Sequence, residues 1–394
     1  MSGVNILPNS NNTVDYVFVF LEIFAREGGI QSYVKDIFPA YRELSDCEEG
    51  KHAEVFLLRD SSECTNPFAS EKVKFHYLKT LPLWLGRIKL AMALLSCLLL
   101  RRPRHVFCGH INLAPLVQIF CQSLGISYTV LTYGKEVWKP LPSQQRFALQ
   151  QANSIWTISR YSRDIACQVN DIDPDKVRFL PCVVDGTIFH RDRKPSHLLQ
   201  KYGLENAKVL MTVARLWSGD IYKGVDVTIR ALPEIARVFP DVKYLVIGRG
   251  DDRPRLEKLA TDLGMGDRVI FAGFVATEEL PSHYRVADAY IMPSQEGFGI
   301  VYLEAMASGI PVLSGDTDGS ADPLQDGKLG WQVPHRDAVA VAKACIEILT
   351  GLAEQTDPRC DGEWLRECTL AKFGKETLTR QLKQLLEEVD KANA

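Results

Sequence analysis

Residues 291–309, which read IMPSQEGFGIVYLEAMASG, constrain the fold of this chain more than any other stretch. An apolar run ends at Pro293, a turn with two glycines follows, and apolar residues then recur at helical spacing. A strand, a glycine-rich turn and a helix in this order direct backbone N–H groups and the positive end of a helix dipole at an anion. The stretch therefore predicts an α/β unit with an anion-binding site at the start of this helix.

Two carboxylates flank the predicted start of the helix. Glu296 lies on the turn, and Glu304 lies inside the helix. Glu304 would suit the hydroxyl groups of a ribose or a sugar, because a carboxylate accepts charge-assisted hydrogen bonds. The N–H groups that would bind a diphosphate belong to Phe298, Gly299, Ile300 and Val301. The alternative is an ordinary turn between a strand and a helix, with a solvated glutamate on each side.

Length and composition limit the classes of protein to which this chain can belong. A chain of 394 residues exceeds one comfortable core, so two domains are expected. With 46% hydrophobic residues, 24% charged residues and a net charge of −3, the chain has a globular composition and no basic field that would favour nucleic acid. The ten cysteines form no Cys-x-x-Cys pair, and the polar N-terminus lacks a secretory signal pattern. We expect a cytoplasmic protein with reduced cysteines.

Short apolar runs alternate with helical patterns along both halves of the chain, which is typical of parallel α/β sheets. A polar, proline-containing stretch at 185–203 separates the halves and predicts a linker. The predicted strands are 16–21, 54–58, 73–77, 105–108, 127–131, 154–158 and 177–180, then 209–214, 243–247, 269–272, 289–292 and 311–314. The predicted helices are 30–41, 83–100, 224–239, 253–264, 277–287 with Thr277 as its cap, 337–349 and 363–391.

The segment 81–100 is nearly all apolar, but it contains Arg87 and Lys89 and is followed by three further arginines. A membrane-spanning helix would bury two charges, so we expect that the segment does not span. A helix that covers the sheet of the first domain is the favoured interpretation. The alternative is a basic, leucine-rich helix that lies on an anionic membrane surface.

Several motifs together resemble those of glycosyltransferase family 4, and they occur in that family's order from near residue 20 to near residue 335. The strongest is the pair Glu296 and Glu304 within EGFGIVYLEAMASGIPVL; the others are REGGIQSYV (26–34), VARLWSGDIYKGVD (213–226), IGRGDD (247–252) and FAGFV (271–275). The resemblance implies the GT-B fold, with two Rossmann-like doubly wound domains facing across a cleft. It also implies transfer of a sugar from a nucleoside diphosphate sugar with retention of the anomeric configuration.

The resemblance assigns three domains and a donor site. It implies an acceptor-binding domain at 1–186, a nucleotide-sugar-binding domain at 187–362, and a C-terminal helix at 363–394 that packs back on the first domain. Arg215 and Lys223 match the family's diphosphate-binding cations, which replace a metal, so no cofactor and no metal are expected. Glu304 matches the ribose-binding glutamate and Glu296 the one that contacts the transferred sugar. The donor site would also include Gly28, Gly29, Gly250, Val275 and the backbone of Phe298, Gly299, Ile300 and Val301.

On the acceptor side, His110 follows a strand and could contribute to catalysis or to sugar positioning, although a histidine at a strand end is often structural. Tyr133, Gly134 and Lys135 align with a loop where most relatives have a histidine before the glycine. A phenol can donate a similar hydrogen bond but is not a base near neutral pH. A second departure lies at Ser320 and Asp322, in a loop where relatives have a glycine and a glutamate.

The predicted activity is transfer of a hexose from a GDP-mannose or UDP-glucose type of donor to a lipid-linked or glycan acceptor. We expect peripheral contact with the inner face of the membrane as a hypothesis, and no nucleic acid partner. Two alternatives remain open: a nucleotide-sugar epimerase of the same fold, and a nucleotide-sugar-binding protein that has lost activity.

Overall fold

The computed structural model describes residues 14–26, 28–47 and 51–393. The N-terminal residues on which the expectation of no secretory signal depends lie outside this part, as do Glu27 of the motif at 26–34 and the side chain of Cys47. The described chain divides into two compact units. The first comprises the residues up to Pro181 and those from Leu378 onward, and the second is Cys182–Thr377.

The first unit is built on a parallel sheet, which has seven strands in the described part of the chain, in the order β3-β2-β1-β4-β5-β6-β7. Because the interior strand β1 is buried along its whole length, its sequence is a continuous apolar run. The strands are β1 (Tyr16–Phe20), β2 (Ala53–Leu57), β3 (Val73–Tyr77), β4 (His105–Cys108), β5 (Ser127–Thr132), β6 (Ser154–Thr157) and β7 (Val177–Phe179).

Helices connect these strands: α1 (Gly29–Cys47), α2 (Leu83–Arg101), α3 (Ala114–Leu124), α4 (Ser143–Gln150) and α5 (Arg160–Asn170). The sequence analysis did not predict α3, α4 and α5. The start of α5 has a local signal, since the N–H of Ser162 donates to Oγ of Ser159 at 3.1 Å, which is a capping bond.

The second unit has a parallel sheet of six described strands in the order β10-β9-β8-β11-β12-β13. The chain moves outward from β8 through β9 to β10, and then returns to place β11 on the other side of β8. The strands are β8 (Lys208–Val213), β9 (Val242–Ile247), β10 (Val269–Gly273), β11 (Ala289–Ile291), β12 (Val312–Gly315) and β13 (Trp331–Val333). The helices are α6 (Ser196–Tyr202), α7 (Val225–Val238), α8 (Arg253–Asp262), α9 (Leu280–Tyr284), α10 (Ile300–Ala307), α11 (Ala338–Glu354) and α12 (Gly362–Phe373).

The C-terminal segment differs from the single predicted helix over 363–391. It forms two helices, α12 and α13 (Lys375–Ala392), because Gly374 adopts an extended backbone. Helix α12 belongs to the second unit, and α13 belongs to the first unit from Leu378 onward. There an apolar stripe of Leu378, Leu382, Leu385 and Leu386 is buried. Thus only the later part of the predicted C-terminal segment joins the first unit.

Two other predictions on secondary structure were wrong. The predicted helix over 277–287 is a 3₁₀ turn at Thr277–Glu279 followed by the short helix α9. Thr277 does not cap it, since the residue that precedes the turn is Ala276 and no side chain forms a capping bond there in the described structure. The linker over 185–203 contains α6, which was not predicted.

Helix α2 is the only helix in the described part of the chain that is long and apolar enough to cross a membrane, with a mean hydropathy of 1.8. Only 28% of that apolar window is buried in the protein. Length and composition alone do not distinguish a spanning helix from one that covers a sheet.

Candidate functional site

The predicted residues of the second unit lie in loops at one edge of its sheet. Arg215 follows β8, Gly250 follows β9, Val275 follows β10 and Glu296 follows β11. The carboxyl ends of parallel strands meet at this edge, and β8 and β11 are neighbours at the point where the strand order reverses. Ligands of doubly wound sheets bind in the crevice at such a reversal. The topology therefore brings the loop with Arg215 and Lys223 beside the loop with Glu296.

Lys223 and Glu296 form an ion pair across these two loops, with Nζ of Lys223 donating to Oε1 of Glu296. Only 18% of the lysine side chain and 16% of the glutamate side chain are exposed. Burial opposes the charged ammonium, but the Glu296 carboxylate more than offsets it and raises the pKa of Lys223 above its ordinary value. Lys223 is therefore a fixed cation at neutral pH.

Arg215 lies on the same loop and is more exposed than Lys223. Its guanidinium is 3.1 Å from Oδ2 of Asp220 and lies over the Trp217 ring, 4.7 Å from the ring centroid. Arg215 and Lys223 line one pocket. The positive charge of Arg215 acts to lower the pKa of Lys223, against the larger opposite effect of Glu296. Two cations that line the same pocket favour a ligand with more than one negative charge.

The start of α10 offers backbone donors beside these cations. Gly299 precedes the helix with φ +90°, and a Cβ there would lie 2.4 Å from the Tyr302 ring, so only glycine fits. No side chain of the described residues caps this helix, and the Tyr302 N–H donates to the Gly299 carbonyl, so the N–H groups of Ile300 and Val301 are the candidates to bind an anion. Phe298 is buried against Phe373, so it can contribute only its backbone. Ile300 and Val301 form the first turn, as predicted from the sequence.

Glu304 lies on α10 and is held by a tyrosine that the sequence analysis did not identify. The hydroxyl of Tyr284, which is fully buried, donates to Oε2 of Glu304 at 2.7 Å. Burial raises the pKa of Glu304 to about 7, although the hydrogen bond from Tyr284 opposes this shift. The tyrosine fixes one carboxylate oxygen and leaves Oε1 for another donor.

Asp318 is a second residue that sequence reasoning missed. It accepts hydrogen bonds from the N–H groups of Glu296 at 2.6 Å and of Ser320 at 2.8 Å, and also from the Ser320 hydroxyl. Burial raises the pKa of Asp318 to about 6 against these bonds. Its position in a loop crowded with glycine and aspartate was the only signal in the sequence. Asp318 positions the backbone that presents Glu296.

Ser320 is buried, and its hydroxyl oxygen, whose proton is donated to Asp318, lies 3.1 Å from the Gly315 carbonyl oxygen. The departure from the family pattern at this residue therefore forms part of the loop that supports Glu296. Two other predicted residues of this unit could offer a ligand only their backbone groups. A Cβ on Gly250 would lie 1.9 Å from the Leu216 carbonyl oxygen, and the Val275 side chain is buried.

In the first unit, His110 follows β4 and accepts a hydrogen bond at Nδ1 from the N–H of Asn112, at 3.1 Å. This bond assigns the proton of the neutral ring to Nε2. Burial, and to a smaller extent Arg59, lowers the pKa of His110 to about 4. His110 is therefore neutral at physiological pH and can donate one hydrogen bond, but it cannot supply a positive charge.

The loop after β5 uses its polar groups internally. The Tyr133 hydroxyl donates to the Gly109 carbonyl at 2.8 Å, which occupies the proton that we expected it to offer to a sugar. The N–H groups of Tyr133 and Gly134 both donate to Glu136, whereas Lys135 is exposed. These hydrogen bonds hold the loop in place, and the role of Tyr133, Gly134 and Lys135 in acceptor positioning remains a prediction.

Gly28 lies in the loop between β1 and α1, Gly29 is the first residue of α1, and both are exposed. A Cβ on Gly29 would have no atom within 4 Å, so the space beside this part of the backbone is open. The preceding loop is fixed by the buried side chain of Asp60, which accepts hydrogen bonds from the N–H groups of Ile23, Phe24 and Ala25 at 2.6–3.1 Å. Asp60 is a positioning residue that the sequence did not indicate.

Comparison with known proteins agrees with this geometry. The family model described as "Glycosyl transferases group 1" matches residues 207–351. A GDP-mannose-dependent alpha-(1-6)-phosphatidylinositol monomannoside mannosyltransferase of Mycolicibacterium smegmatis is 35% identical over 58% of this chain and 60% of its own length. The protein with the same name in Mycobacterium tuberculosis is 32% identical over 66% of this chain and 69% of its own length. The matched part of the chain thus spans 60% to 69% of the length of these relatives.

The fold has solved counterparts as well. The structure of Anabaena HepE in complex with UDP superimposes with a TM-score of 0.75 at 19% identity and covers 95% of this chain and 100% of that one. The two parallel sheets and their helices are those of the two-domain GT-B fold, which defines this molecule as a GT-B protein. The chain belongs to the group 1 glycosyltransferases. It is a glycosyltransferase enzyme.

Proposed function

We propose that the chain transfers a hexose from a nucleoside diphosphate sugar, without a metal ion and with retention of configuration, to a lipid-linked or glycan acceptor. The observation that carries the donor part is the set of charges at the strand-order reversal. Arg215, Lys223 and the uncapped start of α10 surround the edge between β8 and β11. Three positive groups fixed by the fold complement the charge of a diphosphate. They supply the positive charge that a metal ion would otherwise provide.

The leaving group explains why these groups accelerate the reaction. Negative charge grows on the phosphate oxygen as its bond to the anomeric carbon breaks, and fixed cations stabilise that charge most in the transition state. Lys223 is already oriented by Glu296, so little reorganisation is needed. Glu296 carries the opposite charge and stabilises the positive, oxocarbenium-like sugar.

Retention follows from a front-face reaction. The bond between the anomeric carbon and the phosphate oxygen breaks, the acceptor oxygen bonds to the same face of that carbon, and its proton passes to the leaving phosphate. No side chain is proposed as a nucleophile. Neutral His110 is proposed to donate its Nε2 proton in a hydrogen bond that positions a sugar oxygen.

The preferred donor is GDP-mannose, and UDP-glucose is the alternative. The support is the printed name of the two mycobacterial relatives, which are GDP-mannose-dependent enzymes that act on phosphatidylinositol monomannoside. By the same support, a lipid-linked acceptor at the inner face of the membrane is preferred to a soluble one. We propose a cytoplasmic enzyme with peripheral membrane contact.

Thermal unfolding against a panel of nucleotides and nucleotide sugars tests the donor site. At about a hundred times its Kd, the correct donor is expected to add about 2.7 kcal/mol of stability and to raise the melting temperature by about 5 °C or more. The shift should be the same in EDTA and in Mg²⁺. No shift with any donor would favour a protein that has lost activity, and a shift that needs Mg²⁺ would contradict the metal-free site.

Incubation with the selected donor then separates transfer from isomerisation. An α-linked product formed from an α-linked donor, with no conversion in the absence of acceptor, is the expected result, and NMR of the anomeric proton measures it. Conversion of the donor into another nucleotide sugar without acceptor would establish the epimerase instead. A product of inverted configuration would contradict the front-face reaction.

The pH dependence of donor binding tests the assignment of Glu304. Its pKa of about 7 is higher than the ordinary value of 4.5, so ionisation is disfavoured in the folded protein, and stability falls as the pH rises from about 4.5 to about 7. Only the ionised form accepts hydrogen bonds at both oxygens. We expect donor affinity to improve about tenfold from pH 6 to pH 8, by calorimetric titration with a nucleotide sugar.

Glu304→Gln is the control for this measurement, because the amide has a similar shape and does not titrate. We expect weaker binding that no longer changes with pH. If the parent and the Glu304→Gln variant showed the same pH profile, the titrating group would lie elsewhere and the ribose contact would have to be reassigned.

A further inference from the structure

Helix α2 has an outward surface that the protein leaves uncovered. Its inner side is buried through Gly86, Leu90, Leu94, Cys97 and Leu98. Its other side carries large apolar side chains in solvent, and Trp84 is 58% and Met92 61% exposed. The remaining exposed apolar side chains of this segment are Leu81, Leu83, Ile88, Leu99 and Leu100. A patch of this kind marks an interaction site in a soluble domain.

The exposed side chains form a stripe along the helix. Successive residues are about 100° apart around an α-helix, so Ile88, Met92 and Leu99 fall within about 80° of Trp84. Arg87 lies on one side of this stripe and Lys89 on the other, and both are exposed. An apolar stripe with an aromatic residue and flanking cations is the pattern of a helix that lies in a membrane interface.

The charge of the surrounding sequence is entirely positive. No aspartate or glutamate occurs between Glu71 and Glu136, although the whole chain has a net charge of −3. The basic residues between these two glutamates are Lys72, Lys74, Lys79, Arg87, Lys89, Arg101, Arg102, Arg104 and Lys135. This segregation complements a negative surface, because each lysine or arginine close to an anionic membrane adds to the attraction.

We infer that α2 binds flat on an anionic lipid surface, with the stripe from Trp84 to Leu99 among the lipid headgroups and acyl chain ends. A second copy of the chain is a poorer partner, because it would bring two sets of the same positive charges together. Spanning is disfavoured by Leu94 and Leu98, which are buried in the hydrophobic core of the first unit and would have to leave it. This surface does not depend on the identity of the sugar donor.

Sedimentation of the full chain with lipid vesicles tests the inference. We expect binding to vesicles of phosphatidylcholine and phosphatidylglycerol in equal parts to be at least about tenfold tighter than to phosphatidylcholine alone, and to weaken as salt screens the charges. Equal affinity for both vesicles, or no binding to either at low salt, would overturn it.

Two double variants separate the contributions of charge and apolar area. Arg87→Glu with Lys89→Glu should weaken binding to the anionic vesicles about 30-fold or more, since each basic side chain contributes about fivefold. Ile88→Ser with Met92→Ser should weaken binding at high salt as well. All four side chains are exposed, so the melting temperatures should stay near that of the parent.

Matched controls lie in the second unit. Arg230→Glu with Arg237→Glu makes the same charge change at two exposed positions of α7, and Val339→Ser removes a side chain that is 79% exposed on α11. Both should bind vesicles like the parent. If either control lost as much affinity as the α2 variants, the attraction would be a property of the whole chain and the inference would fail.

Quenching by lipids brominated along the acyl chain reports whether α2 itself enters the membrane. The chain has six tryptophans, so the comparison is between the parent and Trp84→Phe. We expect strong quenching in the parent and most of it lost in the variant. Undiminished quenching in Trp84→Phe would place the contact elsewhere. Self-association of the parent without lipid, abolished by Ile88→Ser with Met92→Ser, would identify a second copy as the partner and overturn the inference.

Discussion

Lys223→Ala is expected to lower kcat/KM for the nucleotide sugar by about 10³-fold, which is a loss of about 4 kcal/mol of transition-state stabilisation. The substitution removes a fixed cation from the diphosphate site. It also leaves the Glu296 carboxylate, which is only 16% exposed, without the ammonium that neutralises it. An uncompensated carboxylate would repel the leaving group as its charge grows, so kcat should fall more than KM rises.

The loss in stability should be much smaller, about 1–2 kcal/mol, because water can reach Glu296 in the variant. Steady-state kinetics and thermal unfolding of the same preparations measure both quantities. Lys258→Ala is the matched control, since its ion pair with Asp262 lies on the surface of α8 and contributes little. Normal turnover of Lys223→Ala would show that the diphosphate binds elsewhere. An equally inactive Lys258→Ala would point to a general effect of lysine removal.

Asp318→Ala is expected to have the second largest effect, and to act on folding and on catalysis together. The variant leaves the N–H groups of Glu296 and Ser320 without their acceptor, at a cost of about 3 kcal/mol. For a unit of this size, that loss lowers the melting temperature by about 6–12 °C. Displacement of the loop that carries Glu296 should reduce kcat by about 10²-fold, even though Asp318 need not contact the sugar.

Asp318→Asn separates positioning from charge, because the amide oxygen can still accept one of these bonds. We expect it to recover part of the stability and part of kcat with an unchanged Kd for the nucleotide. Asp316→Ala changes an exposed carboxylate on the same loop and should resemble the parent in both measurements. If Asp318→Ala melted and turned over like Asp316→Ala, the proposed support of Glu296 would be wrong.

The sequence indicated the candidate residues of the donor site, but not the groups that hold them in place. Arg215, Lys223, Glu296 and Glu304 were identifiable because each lies in a short motif between a strand and a helix. Tyr284 and Asp318 were not, since each contacts its partner across loops that are distant in the chain. Tyr133 shows the same limit, because its hydroxyl bonds to the Gly109 carbonyl of the neighbouring strand's loop. A side chain's hydrogen-bond partner depends on which strands are adjacent.

Gly374 illustrates a limit on secondary structure. Apolar spacing continues on both sides of it, so periodicity predicted one helix where the backbone forms two. The missed helices α3 and α4 have weaker signals, and neither has a side-chain cap in the described structure. A pattern of apolar residues reports which face is buried, but not where the backbone changes direction.

The sequence by itself determined the fold class, because strand and helix periodicities are local properties, and it indicated the family through motifs that resemble known ones. Only the tertiary structure decided that β11 lies beside β8, and this adjacency pairs Lys223 with Glu296. It also decided that α2 buries one side and exposes the other, although both are apolar. The physical reason is that burial and pairing between distant segments depend on strand order and packing, which no local pattern specifies.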